Sequence, residues 1–373
     1  MKRLIGLLTF GLGIVLLVMA PVVRFAVAPR LLKAPIDLNV TLPHGGGPFT
    51  YLSVAEGGEI QLPYVAVSRH LYANPDLSND KVAVYEEALC LTRDDDRQQL
   101  GCTSGSDPRT IANYYHSYAF DRRTAMTVNG AVCGKDGDTE CDNRFIAYDG
   151  EPEDQQRVQL SGLSTMWPMG TKKQTYQVWD DPSKKAWPAE FAGTETIEGL
   201  ETYKFVQKIV DAESTTHGLP SLYSNTRTLW IEPRTGATIH GQEEIDQRLT
   251  GEEPGKSGIN PELENKTALK GTLAFTKEAD RMQADTARDG IKKIDLITKW
   301  LPLGLLLVGA LLTALGLFLL RGGRREPGTG ALVGRRVGDP APRAGAHTRE
   351  PVATREAAGA GSRGATAPER PRA

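Results

Sequence analysis

The sequence LIGLLTFGLGIVLLVMAPVV at residues 4–23 and the sequence LPLGLLLVGALLTALGLFLL at residues 301–320 decide the architecture of this 373-residue chain. Each stretch is an uncharged apolar run of 20 residues. A helix rises about 1.5 Å per residue, so each run would cover about 30 Å, the thickness of the hydrocarbon core of a bilayer. The sequence therefore predicts an N-terminal transmembrane helix at residues 1–25 and a second span at residues 301–320.

A second interpretation of the first run is a cleaved signal peptide, because a basic start precedes it and small residues follow it. Val18–Ala20 or Ala26–Ala28 could serve as the cleavage motif. Each cleavage site would fall directly before a proline, however, and the apolar run is longer than a usual signal core. We favour a retained anchor; cleavage would leave a single-pass protein with the same outward-facing domain.

The distribution of charge predicts the orientation, because basic residues near membrane segments remain on the cytoplasmic side. Residues from 321 onward contain 11 Arg and 5 acidic residues, whereas residues 24–300 contain 31 Lys or Arg and 41 Asp or Glu, a net charge of −10. We therefore expect a plasma-membrane protein with both termini in the cytoplasm and the 26–299 region extracytoplasmic. Three basic residues lie on the side that this rule disfavours: Arg24, Arg30 and Lys33.

All four cysteines lie in the region predicted to be outside, in keeping with an oxidising compartment. Three disulfide connectivities are open, and we favour Cys90–Cys102 with Cys133–Cys141, because each pair brackets a turn-rich polar segment. The spacings of zinc sites are missing, so we expect no metal. An acidic series in the second loop could face a Ca²⁺ ion, but a solvated hairpin loop is the preferred interpretation of these residues: Asp136, Asp138, Glu140 and Asp142.

Residues 26–275 are predicted to form a mainly β (α+β) extracytoplasmic domain with antiparallel strands. Two hairpins are expected, one turning through Asp180–Ser183 and one through Pro233–Gly236. A barrel-like closure is one form that such a sheet could take. Apolar and polar residues alternate, as in half-buried strands, in three stretches: 65–72, 81–85 and 202–210.

The pattern changes from strand to helix at Thr276. This threonine is a candidate N-cap, acidic residues follow it in the first turn, and apolar residues recur at helical spacing up to Trp300. We expect one helix over residues 276–322 that continues into the second span. Residues 323–373 are rich in Gly, Ala, Pro and Arg, and this composition predicts a disordered basic cytoplasmic tail.

Aromatic residues are concentrated between Trp167 and Trp230. The simpler interpretation is that they fill the core of the β domain. The sharper one is that some line an apolar groove for a lipid tail. The candidate ligand-binding residues are Trp167, Tyr176, Trp179, Trp187, Tyr203, Phe205 and Trp230.

Motifs for catalysis or cofactor binding are missing from the sequence. The six histidines are scattered, and no metalloprotease, nucleophile-elbow, phosphate-loop or dinucleotide motif occurs. We therefore expect that the protein is not an enzyme, has no catalytic residue and binds no cofactor. No nucleic-acid partner is expected either.

Four motifs stand out between Gly162 and Gly241: WPMGTKKQTYQVWD at 167–180, PAEF at 188–191, IEGLETYKF at 197–205 and LWIEPRTG at 229–236. Together they resemble the actinobacterial porin PorA-like family. Members of that family share an N-terminal membrane helix, an extracytoplasmic domain and a C-terminal membrane helix, and the resemblance covers residues 1–320 in layout. Met169 stands where the family pattern has Phe.

The resemblance implies two different functions. The name implies a channel, whereas members have been connected with envelope lipid and glycolipid assembly. The charged middle region lacks the unbroken apolar strand faces of a lipid-facing barrel. Our main hypothesis is a membrane-anchored, non-catalytic envelope protein whose extracytoplasmic domain binds lipid or glycolipid and assists its transport or cell-envelope assembly. The alternative is a scaffold that recruits envelope-synthesis membrane proteins, and the third hypothesis is a porin-like channel.

Overall fold

A computed structural model of the chain describes residues 2–93, 109–134, 139–141, 143–147 and 156–321. The predicted tail at 323–373 lies outside the described residues, as do Cys102 and all of the acidic series except Glu140. The N-terminal helical segment consists of α1 (Lys2–Val22), a π-helical turn (Val23–Val27) and α2 (Ala28–Leu31); the C-terminal one consists of α3 (Lys277–Asp295), a π-helical turn (Leu296–Trp300) and α4 (Leu301–Arg321).

Between these segments the described residues form β-strands. In chain order they are β1 (Asn39–Gly46), β2 (Phe49–Ser53), β3 (Gly58–Leu62), β4 (Val65–Ala73), β5 (Val82–Arg93), β6 (Thr110–Asp121), β7 (Ala131–Cys133), β8 (Thr139–Cys141), β9 (Arg144–Ala147), β10 (Gln156–Arg157), β11 (Tyr176–Asp180), β12 (Lys185–Ile197), β13 (Leu200–Thr216), β14 (Leu219–Ile231), β15 (Thr238–Leu249) and β16 (Thr267–Phe275).

The two apolar helices α1 and α4 pack against each other. Both helical segments are long and apolar enough to cross a bilayer, which is compatible with a membrane protein. Their contact face consists of small residues or proline at every seventh position, while leucines point outward. Close backbone approach through small residues is the usual way in which membrane helices associate. The buried positions are Gly6, Gly13 and Ala20 in α1 and Pro302, Gly309 and Gly316 in α4.

Each helical segment contains a π-helical turn just before a proline. In the first, the amide of Ala28 donates to the carbonyl of Val23, and Pro29 follows. In the second, the amide of Leu301 donates to the carbonyl of Leu296, and Pro302 follows. A proline has no amide hydrogen and its ring collides with the preceding turn, so a widened turn accommodates it without ending the helix. The predicted continuous helix from Thr276 into the second span is therefore present, with a π turn at its centre.

Twelve strands follow one another in an antiparallel sheet whose order is β10-β9-β6-β5-β4-β1-β16-β15-β14-β13-β12-β11, and β2 and β3 branch from β16. The prediction of a mainly β, antiparallel fold is confirmed. The sheet is not closed into a barrel, because within the described residues its edge strands β10 and β11 do not pair. Near this opening, Leu163 forms isolated bridges to Met126 and to Val178 of β11.

Both predicted hairpins are present. Strands β11 and β12 pair with Val178 opposite Trp187, and strands β14 and β15 pair with Ile231 opposite Thr238. In the second hairpin, the Glu232 carboxylate accepts hydrogen bonds from the amide and hydroxyl of Thr235 at 2.8 and 2.6 Å, which fixes the turn. Local turn chemistry of this kind is what sequence patterns capture best.

Helix α3 connects the sheet to the apolar helix α4. The hydroxyl of Thr276 accepts from the amide of Ala279 at 3.2 Å, as the N-cap prediction requires. Farther along, the side chain of Gln283 donates to the carbonyl of Thr238 at 2.9 Å, and the buried Ala284 packs beside Ile239. These contacts attach α3 to the start of β15.

The predicted bond between Cys133 and Cys141 is present and joins β7 to β8. Cys90 is also disulfide-bonded, and its predicted partner lies outside the described residues. Cysteine oxidation of this kind fits an oxidising compartment.

The β domain contains largely buried ion pairs as well as apolar clusters. Arg227 lies at the centre: it contacts the carboxylate of Asp180 at 3.2 Å and that of Glu243 at 2.7 Å, and donates to the amide oxygen of Gln207 at 3.1 Å. Burial alone would lower the pKa of Arg227, but the two carboxylates raise it above its ordinary value. A second pair, Arg69 with Glu87 at 2.7 Å, lies on β4 and β5.

Candidate functional site

A cleft of about 510 Å³ opens where the helices meet the β domain. Five separate parts of the chain line it: the N-terminal segment from the first π turn to Leu32, the loop after β6, the segment before β11, the turn between β14 and β15, and the end of α3 with the second π turn. We call it the junction cleft. Its lining residues are Arg24, Pro29, Leu32, Arg123, Met169, Gly170, Arg234, Ile294, Thr298 and Lys299.

The junction cleft lies at the polar end of both apolar helices. Arg24 immediately follows the apolar run that ends at Val23, and Lys299 stands two residues before the run that begins at Leu301. Large apolar side chains at the same level are exposed, among them Phe25 at 75% and Trp300 at 64%. Aromatic side chains at this position are typical of the boundary between lipid and water.

Both π-helical turns contribute to the cleft. Arg24 belongs to the first turn, and Thr298 and Lys299 belong to the second. The hydroxyl of Thr298 donates to the carbonyl of Ile294 at 2.7 Å, which adds a side-chain hydrogen bond at this turn. π-Helical turns are rare and are found frequently at functional sites.

Four cations converge on the cleft, and one carboxylate neutralises part of their charge. Asp295 accepts from the two terminal nitrogens of Arg234 at 2.5 and 3.3 Å, and from Lys299 at 2.8 Å. Arg24 and Arg123 are exposed, and among the described residues neither has a side-chain ion pair. The guanidinium of Arg24 lies 5.7 Å from the centre of the Phe25 ring. These five ionisable groups sum to a net charge of about +3 when each has its usual charge at neutral pH.

The other walls of the cleft are apolar. Pro29 and Leu32 lie on one side, and Met169 and Ile294 complete the lining. A site with apolar walls and a few converging charges suits a ligand that has an apolar body and an anionic end. Among the described residues, no group of three or more His, Cys, Asp or Glu could hold a metal ion.

Four of the seven predicted ligand-binding aromatics lie together in the β domain. Trp167 is buried, with its ring 4.5 Å from that of Phe205 and 5.1 Å from that of Tyr176. Tyr203 joins this group through Phe191, at 5.7 Å. The cluster includes the buried Val178 and Ile231, so these rings pack within the protein.

The other three aromatics are separate from this cluster, and each donates to a protein acceptor. The indole of Trp179 donates to Asp181 at 2.7 Å, that of Trp187 to Ser183 at 2.8 Å, and that of Trp230 to Glu195 at 2.7 Å. Trp179 packs in a different core cluster, with Tyr85 and Phe120. A lipid contact for any of the seven stays a prediction.

The sequence patterns missed the cations of the junction cleft. Their only signal was the charge distribution, since Arg24 lies on the disfavoured side of the first span. Lys33, another such residue, contacts the carboxylate of Asp80 and its carbonyl. Met169, the position where the family pattern has Phe, turns out to line the cleft.

Comparison with known proteins identifies the family. Residues 5–318 match the family described as Porin PorA. A protein named Porin PorA from Corynebacterium resistens is 23% identical over 409 residues, which cover 83% of this chain and 95% of that protein. Another Porin PorA, from Corynebacterium amycolatum, is 20% identical over 281 residues, covering 61% of this chain and 68% of that protein. The match extends over most of the chain, and the protein therefore belongs to the porin PorA family.

Proposed function

We propose that this protein is anchored in the plasma membrane by α1 and α4 and binds a membrane lipid or glycolipid at the junction cleft, in support of envelope transport or assembly. The observation that carries the proposal is the position of the cleft: apolar and basic walls meet at the end of two apolar helices. An amphiphile in the outer leaflet would place its chains along the helices and its headgroup beside Arg24 and Arg123.

The proposed role is binding and delivery without catalysis. The cleft contains cations and apolar side chains, whereas a general base or nucleophile with an orienting partner would be needed for chemistry. The sheet interior is filled by apolar clusters and ion pairs such as Arg227 with Asp180. Binding at the junction therefore fits the protein better than binding within the described part of the sheet.

Lipid recovery from the intact protein tests this proposal. The full chain is purified in a mild detergent, washed extensively, extracted with organic solvent and analysed by mass spectrometry. We expect one defined amphiphile class from the wild type, and its loss from Leu32→Glu, which places a carboxylate at an apolar wall of the cleft. The matched control is Val210→Glu on the 72% exposed Val210 of β13, which should retain the lipid. Repeated recovery of no lipid, or equal recovery from all three proteins, would overturn the proposal.

The proposed orientation has its own test. Single cysteines are introduced into a chain whose native cysteines are blocked by oxidation, one in the turn at Gly218 and one in the tail after residue 321. If the β domain is extracytoplasmic, a membrane-impermeant maleimide labels the first in intact cells and the second only after lysis. The reverse pattern would place the β domain in the cytoplasm.

A channel is the second candidate, and the name of the two relatives favours it. The sheet is not a closed barrel, so a pore would have to form between the helices of several copies. Stepwise conductance of the purified full chain in planar bilayers would support this candidate. Protein that inserts, as shown by protection of α4 from protease, and yet carries no current would exclude it.

A further inference from the structure

The charges of the junction cleft indicate the chemical class of its ligand. Arg24 and Arg123 come from the first π turn and from the loop after β6, and both guanidinium groups are exposed. Asp295 contacts the two other cations, Arg234 and Lys299. The carboxylate thus neutralises part of the charge of Arg234 and Lys299, whereas Arg24 and Arg123, which line the same cleft, form no ion pair with it.

Two arginines that form no side-chain ion pair among the described residues suit a phosphate. A guanidinium group presents a planar set of donors that matches the oxygens of a phosphate, and such charge-assisted hydrogen bonds are roughly twice as strong as neutral ones. A neutral sugar headgroup would leave this charge uncompensated at the edge of the membrane. The surplus of cations in the cleft therefore favours an anion over a neutral headgroup.

The surroundings favour a lipid over a free anion. Leu32, Met169 and Ile294 supply apolar walls, and exposed Phe25 and Trp300 mark the same level of the helices. A small soluble anion would use only the cations, whereas a lipid would use both kinds of wall. Acidic lipids also gain from basic groups near the membrane surface.

We infer that the junction cleft binds the phosphate of an acidic phospholipid through Arg24 and Arg123, with its acyl chains beside α1 and α4. This inference rests on the proposed function and makes it more specific. Asp295 acts as a positioning residue, because it holds Arg234 and Lys299 away from the anion. Removal of its charge frees two more cations for the phosphate.

Binding of short-chain lipids to the full chain in dodecyl maltoside tests the inference. The probes are dioctanoyl phosphatidylglycerol, dioctanoyl phosphatidylcholine and inorganic phosphate, and affinities are measured by microscale thermophoresis. We expect the wild type to bind the acidic lipid about tenfold more tightly than the zwitterionic one, since a gain of this size corresponds to a single strong charged contact. Inorganic phosphate alone should bind more weakly than the acidic lipid.

Substitutions in the junction cleft test whether its residues cause the preference for the acidic lipid. Arg24→Gln combined with Arg123→Gln should abolish the preference for the acidic lipid. It should weaken binding of the zwitterionic lipid less, because the choline cation already compensates the phosphate of that lipid. Arg30→Gln is the matched control, because Arg30 is exposed on α2 but does not line the cleft, and it should keep the preference. Asp295→Asn should increase affinity for the acidic lipid. Thermal unfolding of each variant in the same detergent checks that it is folded.

The outcomes separate this inference from the proposed function. Equal affinity of the wild type for both lipids would overturn the acidic-lipid inference and leave amphiphile binding in place. Failure to bind either lipid would overturn the acidic-lipid inference, whereas the proposed function is overturned by the lipid-recovery experiment when no amphiphile is extracted. If inorganic phosphate binds as tightly as phosphatidylglycerol, the ligand is a free anion and not a lipid. If the double variant keeps its preference for the acidic lipid, Arg24 and Arg123 do not bind the phosphate.

Discussion

The buried face of the helix pair is made of the smallest residues, whereas the buried face of the β domain includes ionised ones. Gly13 of α1 and Gly309 of α4 bring two backbones together, and leucines cover the outside. In the sheet, Arg227 and the fully buried Asp180 face inward. In lipid, helices gain little by burying leucine and associate through close packing, while in water a sheet can bury charges if each has a partner.

This difference predicts different sensitivities for the two regions. Close packing at a glycine is lost when a larger side chain replaces it, because the added Cβ atom collides with the backbone of the facing helix. A buried ion pair fails when one partner is removed, because the other remains buried without compensation. The predictions below test this contrast on one chain, with the free energy of unfolding as the common measure.

The largest effect is expected for Arg227→Leu. This change leaves Asp180 and Glu243 without their shared cation, and loss of one partner from a buried pair costs about 3–5 kcal/mol. The free energy of unfolding is obtained from denaturant titration of the full chain in detergent, followed by tryptophan fluorescence. The control is Arg248→Leu, whose partners Asp211 and Asp246 are partly exposed, and it should cost less than about 1 kcal/mol. Similar losses for the two variants would show that the interior pair is not buried in solution.

A pH-dependent effect of about 3 kcal/mol is expected from His44. Burial and the nearby Arg69 guanidinium lower the pKa of His44 from 6.5 to about 4. The unfolded chain therefore binds a proton below about pH 6.5 while the folded chain does not, so stability falls as the pH drops from 6.5 to 4 and levels off below that. The carboxylates that face His44, Glu87 and Glu243, have pKa values held below their ordinary range.

His44→Gln removes this titration while the neighbouring carboxylates remain. The difference in unfolding free energy between wild type and variant should change across pH 4–6.5 and stay constant above it. Denaturant titrations at several pH values measure it. A difference that is flat through this window would mean that His44 is solvated or already paired when protonated.

Much of the fold could be predicted from the sequence, because it depends on local patterns. The two apolar runs, the N-cap at Thr276 and the turn at Pro233–Gly236 each have a signal within a few neighbouring residues. The alternation predicted for residues 202–210 is also visible in β13, where Lys208 is exposed between the buried Gln207 and Ile209. The same rule misjudges Arg227, since alternation alone would turn a polar residue outward, and only partners from β11 and β15 make its burial possible.

The candidate site could not be predicted, because its residues are distant in sequence. Arg24, Arg123 and Arg234 come from three regions whose proximity depends on the complete sheet and on the packing of α3. The concentration of aromatic residues in the sequence pointed to residues that pack with one another in the core, such as Trp167 and Phe205. A cluster of residues in one stretch of sequence therefore does not indicate a cleft whose lining comes from five separate segments.

A smaller effect, about 1–3 kcal/mol, is expected for Gly13→Leu in α1. A Cβ atom at Gly13 would lie 2.4 Å from the hydroxyl of Thr313 and 2.8 Å from the carbonyl of Gly309, so the helices must separate. Gly11→Leu is the matched control, because a Cβ atom there has no atom within 4 Å. Unfolding by SDS in mixed micelles measures both. Equal stability of the two variants would show that α1 and α4 do not pack through Gly13 in the membrane-mimetic state.

The smallest effect is expected for Lys270→Gln, on the outer face of the sheet. Lys270 pairs with Asp246 at 2.9 Å, and both side chains are partly exposed. Asp246 lies three residues after Glu243 on β15, so strand alternation places the two carboxylates on opposite faces. Water and salt screen the outer pair, and its loss should cost less than about 1 kcal/mol and should vanish in roughly 1 M salt. The ion pair of Glu243 with Arg227 should still contribute to the free energy of unfolding in this salt concentration, because the Arg227 side chain is largely shielded from solvent. A loss from Lys270→Gln equal to that from Arg227→Leu would show that position on the sheet, inside or outside, does not set the strength of these ion pairs.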